Sequence, residues 1–273
     1  MCRRLKCICK RSFERYWEDK FAAGIGLDQQ FDLLFVINGC SLHQSFFNRI
    51  QKHSSHIKKV LYLWDNSQFF DYYHYAHRFD KVLTYDIDDS VKFKAGLLPF
   101  YWKPISSKMK EQPLLYKISM IGSNHDNRLK IAKIIASQLR AHGMNYCFKI
   151  LDKSLKENDI VIHKPLSTDS VQKVMMQSDC ILDTDRESQS GTTPRLIWAL
   201  AMGKKVITTN QNIKQMPFYD AELIHIIDRN NPVVDMDFIE SQPDFSRCQK
   251  LIQTLRIDAW VKNFCVYKLN YCK

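Results

Sequence analysis

Apolar residues along this chain fall into two alternating rhythms. Near-continuous apolar runs closed by glycine or aspartate read as buried strands: FDLLFVIN (31–38), ended by Gly39, then KKVLYLWD (58–65) and RFDKVLTYD (78–86). Between them SFFNRIQKH (45–53) has helical spacing, and Asp88 and Asp89 suit the opening turn of another helix. A second series starts with KISMIGS (117–123), followed by a helix over 127–143 that Gly143 closes. DIVIHKPL (159–166) leads into a helix opened by Ser167 or Thr168. DCILDTD (179–185) is a strand, PRLIWALAMG is a helix stopped by Gly203, and KVITTN (205–210) and ELIHIID (222–228) are strands. The tail from Phe245 is amphipathic, with Phe245, Cys248, Ile252 and Leu255 along one stripe.

Apolar strands alternating with helices predict parallel sheets covered on both faces. Residues 99–116 break the rhythm with three prolines, three lysines and no period, and read as a linker. The expected fold class is therefore α/β, with two Rossmann-like parallel-sheet domains, 1–104 and 105–273, facing a cleft. A chain of 273 residues that is 45% hydrophobic is large enough for two such cores.

The formal net charge of +11 changes the picture, because it calls for an anionic partner: nucleic acid, anionic lipid or a phosphorylated substrate. A plain solvated basic face accounts for it equally well. Arg3, Arg4, Lys6, Lys10, Arg11 and Arg15 crowd the first fifteen residues. No motif that reads RNA or DNA accompanies the charge, so no nucleic-acid partner is expected. The longest apolar runs fall well short of the roughly 20 residues that cross a bilayer. The opening residues do not resemble a signal peptide, which points to a cytoplasmic protein. Nine cysteines, scattered and odd in number, fit reduced thiols. Cys2, Cys7 and Cys9 lack the second pair or the histidines of a zinc site, and no metal is expected there. Asp-x-Asp pairs at Asp86–Asp88, Asp183–Asp185 and Asp235–Asp237 are the pattern that would hold a divalent cation in another architecture, against which the two-domain rhythm argues.

Candidate chemistry gathers at strand-to-helix loops, where open parallel sheets bind ligands. Arg195 falls in the first turn of the 194–203 helix, an end that carries partial positive charge, so it needs an anion nearby. Two further loops carry a cation: Arg128 after the Gly122-Ser123 turn, and Lys164 after IVIH. Thr193 suits the N-cap and Pro194 the first helical position. Gly191 permits a tight turn that would aim the N–H groups of Thr192 and Thr193 at a ligand. Three cations at three loops suit a phosphate. Pairing of Arg195 with Asp183, Asp185 or Glu187 of its own loop is the alternative.

The segments ESQSGTTPRLIWALAMGKKVITTN, ISMIGSNHDNR and FYDAELIHIIDRNNP together resemble the GT-B glycosyltransferases of bacterial lipopolysaccharide and capsule synthesis, over roughly residues 30–265. YLWDN and FDKVLTYDIDD are similar to that family's acceptor-domain segments. The resemblance implies a nucleotide-sugar donor held by the C-terminal domain. Ser190, Gly191, Thr192, Thr193 and Arg195 would hold its diphosphate, with Gly122, Ser123 and Arg128 beside it and Thr209 and Asn210 close by. It implies metal-independent transfer to a lipid-linked or core glycan acceptor at the inner face of the cytoplasmic membrane. No cofactor beyond the nucleotide sugar is implied. The basic N-terminal residues would suit an anionic membrane surface.

Asp65, ending the 58–65 strand, is the candidate catalytic base, with capping of the next segment as its alternative role. Trp64 would be an acceptor wall or a core residue. The chain departs from the family pattern twice. Trp198 stands where the family carries Glu, and the strand and helix that open the family's N-terminal domain are absent, which predicts a shortened domain with an unpaired sheet edge. A non-catalytic nucleotide-sugar or polyanion binder is the alternative function.

Overall fold

The computed structural model describes residues 30–39, 42, 44–105 and 112–265. The basic cluster Arg3–Arg15, the cysteines at 2, 7 and 9, the opening unit and the middle of the 99–116 segment lie outside the described residues. The chain divides into two compact units, one holding the described residues up to Leu98 with Phe264 and Cys265, the other Pro99–Asn263.

The first unit is built on four parallel strands in the order β1-β2-β3-β4: β1 (Leu33–Ile37), β2 (Lys58–Leu63), β3 (Lys81–Thr84) and β4 (Gly96–Leu97). The helices α1 (Gln44–His53), α2 (Tyr73–Ala76) and α3 (Ile87–Lys92) connect them. Val60 to Leu63 of β2 are wholly buried, as a strand apolar on both faces requires. Phe46, Phe47 and Ile50 turn one stripe of α1 onto this sheet, and Phe47 meets Phe79 edge-on with ring centroids 5.2 Å apart. Asp86 caps α3 by accepting from the backbone N–H of Asp89, which explains why aspartates crowd that turn. β1 stands at one end of the strand order.

The second unit carries six parallel strands in the order β10-β9-β8-β5-β6-β7. These are β5 (Tyr116–Ser123), β6 (Tyr146–Leu151), β7 (Val161–Ile162), β8 (Ser178–Asp183), β9 (Lys205–Thr208) and β10 (Ile224–Ile226). Helices α4 (Arg128–Ala141), α5 (Thr168–Met176), α6 (Pro194–Ala201), α7 (Met236–Glu240), α8 (Ser246–Gln253) and α9 (Ile257–Cys265) accompany them, with a 3-10 turn at Gln211–Gln215. Ile131, Ile135 and Leu139 of α4 are fully buried against the sheet, each contributing about 1.5–3 kcal/mol of transfer free energy. Gly143 and Gly203 follow α4 and α6 with φ of 66° and 67°, the left-handed stop expected of them.

Three features differ from the sequence reading. β6 pairs along its whole length with β5, yet nothing was expected between Gly143 and residue 159. The tail is two helices rather than one, because Trp102 enters the gap between α8 and α9. Its N–H donates to Leu255 O, its carbonyl accepts from Ile257 N, and its indole N–H donates to Ile252 O at 2.8 Å. Residues 99–102 therefore do not form a free linker: the backbone of Pro99 and Trp102 and the Trp102 side chain are bonded to the C-terminal helices.

Candidate functional site

The C-terminal ends of β5 and β8, neighbours in the sheet, bring together residues 60 positions apart in sequence. Arg195, in the first turn of α6, sends Nε to Ile121 O (3.0 Å) and Nη1 to Asp183 Oδ1 (2.7 Å). Arg128, the first residue of α4, donates from Nε to Thr184 Oγ1 (2.8 Å), from Nη2 to Thr184 O (2.6 Å) and from Nη1 to Ser123 O (2.5 Å). The two guanidinium groups converge over Gly122. A β-carbon added there would sit 2.7 Å from Arg195 Nη2 and 3.1 Å from Arg128 Nη1, so any larger residue would push the guanidinium tips from their present positions. Among the described residues Arg195 Nη2 has no hydrogen-bond partner.

The electrostatics of this point are unbalanced. Burial, then the charge of Arg195, pull Arg128 down to about 10, and Asp183 offsets only part of this. The His125 imidazole is held low by burial and by Arg186 and Arg128. Arg186 Nη2 lies 3.2 Å from His125 Nε2, which adds a third cation to the same loop pair. Asp183 and Asp126 offset only part of the repulsion that Arg195 and Arg186 exert on Arg128, and an incoming anion would relieve more of it.

The loop preceding α6 is more enclosed than the sequence suggested. Thr193 caps α6 as expected, accepting from Leu196 N at 3.2 Å, but its hydroxyl also donates to Asp183 Oδ1 at 2.7 Å and is fully used. Ser190 and Thr192 are buried, at 3% and 0% exposure. Among the described residues the backbone N–H groups of Gly191, Thr192 and Thr193 donate to nothing, and Thr192 Oγ1 and Asp183 Oδ2 have no partner. Asn210 ties this loop down, donating from Nδ2 to Gly191 O (2.8 Å) while its Oδ1 accepts from Asn212 N.

Behind the two arginines lies an ion pair that the sequence reading did not assign. Asp185 Oδ1 accepts from Arg229 Nη2 (2.5 Å) and from Thr209 Oγ1, and Arg229 also reaches Asp185 O (3.1 Å) and Asn127 Oδ1 (3.2 Å). Burial pushes the Asp185 carboxyl up to about 6, against the opposing pull of Thr209 and Arg229. The only signal in the sequence was the IIDRNNP segment itself.

The remaining residues singled out from sequence fall elsewhere. Lys164 is exposed beyond β7, with β6 and β5 between it and β8, so it is not brought to the arginine pair. Arg195 takes the alternative partner, Asp183, for one nitrogen while keeping another unpaired. Trp198 donates its indole N–H to Tyr101 O at 3.2 Å. In the first unit Asp65 Oδ2 accepts from Asn38 Nδ2 at 2.8 Å, and Asp65 O accepts from Tyr72 OH. Asn38 Oδ1 in turn accepts from Trp64 N (2.8 Å), Asp65 N (3.3 Å) and Tyr72 OH (3.0 Å). Of the Asp-x-Asp pairs, Asp86 and Asp235 are helix caps and Asp183 and Asp185 belong to the ion pairs above. Among the described residues no three His, Cys, Asp or Glu side chains cluster as metal ligands, and no helix is long and apolar enough to cross a membrane.

This architecture, two units each built on a parallel sheet with helices between the strands, is that of the GT-B glycosyltransferases. AviGT4, a glycosyltransferase involved in avilamycin A biosynthesis, superposes with a TM-score of 0.54 at 8% identity, over 94% of this chain and 78% of that one. The lipopolysaccharide outer core galactosyltransferase WaaB in its apo form gives 0.53 at 11% identity, over 96% and 80%. No family model and no curated protein matches the sequence.

Proposed function

We propose that the protein is a glycosyltransferase that binds the diphosphate of a nucleotide-sugar donor at Gly122, Ser123, Arg128 and Arg195. The observation that carries this reading is the convergence of two guanidinium groups on the Cβ-less face of Gly122, with one Arg195 nitrogen unpaired. An anion seated there gains charge-assisted hydrogen bonds from two forks. When the bond between the sugar's anomeric carbon and the diphosphate breaks, negative charge grows on the leaving phosphate oxygen, and these cations stabilise it. The N–H groups of Gly191 to Thr193 extend the donor set once the loop opens to ligand. Asp65 is the proposed base that takes the proton from the acceptor hydroxyl as its oxygen bonds the sugar.

The acceptor we propose is a lipopolysaccharide- or capsule-type glycan, with the protein working at the inner face of the cytoplasmic membrane. The motif resemblance and the +11 charge support this. Thermal unfolding against UDP, GDP, CDP and dTDP and their sugar conjugates tests the donor site. A ligand at 100 times its Kd should stabilise the protein by about 2.7 kcal/mol, and Arg195→Lys should remove most of that shift. A folded protein that none of these nucleotides protects would sink the proposal.

A further inference from the structure

We propose that Arg229 is a positioning residue of the anion site, bracing through Asp185 and Asn127 the two loops that aim Arg128. The inference rests on the diphosphate reading of that site. Arg229 follows β10 by three residues, and the strand order β10-β9-β8-β5 means that it reaches across the end of β9 to the loops after β8 and β5. Its Nη2 holds Asp185 O and Oδ1, and its Nη1 holds Asn127 Oδ1. Thr209, at the end of β9, closes the ring by donating to Asp185 Oδ1. One guanidinium group thus joins the C-terminal ends of four adjacent strands.

The contacts fall on the immediate chain neighbours of Arg128's own anchorage. Asn127 precedes Arg128 in sequence, and Asp185 follows Thr184, which takes two of Arg128's hydrogen bonds. Arg128 sits beside Arg195, and the like charge opposes holding the two tips together over Gly122. Keeping Arg128 Nη1 over Gly122 therefore needs both of its loops fixed, and a planar fork spanning two acceptors does this where a single ammonium would not. Arg229 itself is committed to three protein acceptors, and its side chain is only 12% exposed. Its effect on a ligand accordingly runs through Arg128.

Calorimetric titration of the purified full chain with UDP, GDP, CDP and dTDP tests this, using whichever diphosphate binds the wild type most tightly. Arg229→Gln should weaken that diphosphate about tenfold, and Arg128→Lys by a similar factor. The double variant should lose little more than either single one, because the two residues act as one unit. Arg229→Lys should not restore affinity. Asn127→Ala gives a second reading should Arg229→Gln fail to fold. Asn127 is half-buried and its side chain does not cap α4, so removing it takes away one arm of the brace and leaves the helix intact. An unchanged Kd in both Arg229→Gln and Asn127→Ala overturns the proposal, as do losses that simply add in the double variant. Should Arg195→Lys lose binding while Arg229→Gln does not, the positioning role falls and the anion site stands. Should the wild type bind no diphosphate, both fall.

Discussion

At the scale of single residues, the site is a balance between Asp183 and two arginines. Asp183 is fully buried, with Oδ1 shared between Thr193 and Arg195 and Oδ2 unpaired. Arg195→Ala strands that carboxylate and should cost about 3–5 kcal/mol in urea unfolding. Adding Asp183→Asn should return a large part of it, and a double variant no more stable than the single would show that the pair is not the cause. Gly122→Ala is expected to behave differently. Its new methyl meets the tip of a flexible side chain, so stability should fall by only about 1 kcal/mol, while nucleotide protection should drop sharply. Equal losses in the two measurements would argue that Gly122 is packing alone. The sequence disclosed Arg128, Arg195 and Gly122 through their loop positions. It did not disclose that Lys164 lies two strands away or that Arg229 joins in, because strand order is a long-range property that no local pattern encodes.

At the scale of elements, α6 depends on its first turn. Thr193 both caps the helix and donates to Asp183, so Thr193→Ala should cost about 1–2 kcal/mol and Thr193→Ser only a few tenths. Chemical denaturation of the two variants checks this, and equal values would remove the hydroxyl from the account. The strands β2, β5 and β8 were legible because residues of both faces are buried along them, and β1 because its run is apolar throughout although only Val36 of it is buried. β6 was not, since Tyr146–Leu151 includes a half-exposed lysine, Lys149, and follows a glycine stop without an intervening turn signal. The break between α8 and α9 escaped for another reason. The amphipathic stripe runs through it, and the residue that opens it, Trp102, comes from some 150 positions earlier.

For the molecule as a whole, the buried ion pair of Asp185 predicts a pH dependence of stability. Its carboxyl stands at about 6 in the folded protein against an ordinary 3.8, so the folded state holds the proton more tightly than the unfolded chain. The resulting stabilisation is complete below about pH 4 and is lost as pH rises through about 6, an effect of about 3 kcal/mol at most. Asp185→Asn should flatten the stability profile between those values whatever constant cost it brings. A wild-type profile with the same slope as the variant would refute this. The two-unit organisation could be read from the chain's repeating rhythm, and the chain passes from one compact unit to the other between Leu98 and Pro99. The segment that follows, read as a linker from its prolines, instead pairs with the C-terminal helices through Trp102.

The amide of Asn38 bears on the chemical ageing of the protein. Asn38 precedes Gly39, and asparagine-glycine pairs deamidate when the following backbone nitrogen attacks the side-chain amide. Here that nitrogen donates to Ile37 O at 2.7 Å, and the amide is held by Trp64, Asp65 and Tyr72. Attack has to wait until these bonds open together, so the slow conversion of Asn38 to aspartate in storage becomes a clock for local opening of the first unit. Once struck, that clock also damages what it times. The new carboxylate replaces the donor to Asp65 with a second negative charge, and an aged sample should lose its first unit's order before its second's.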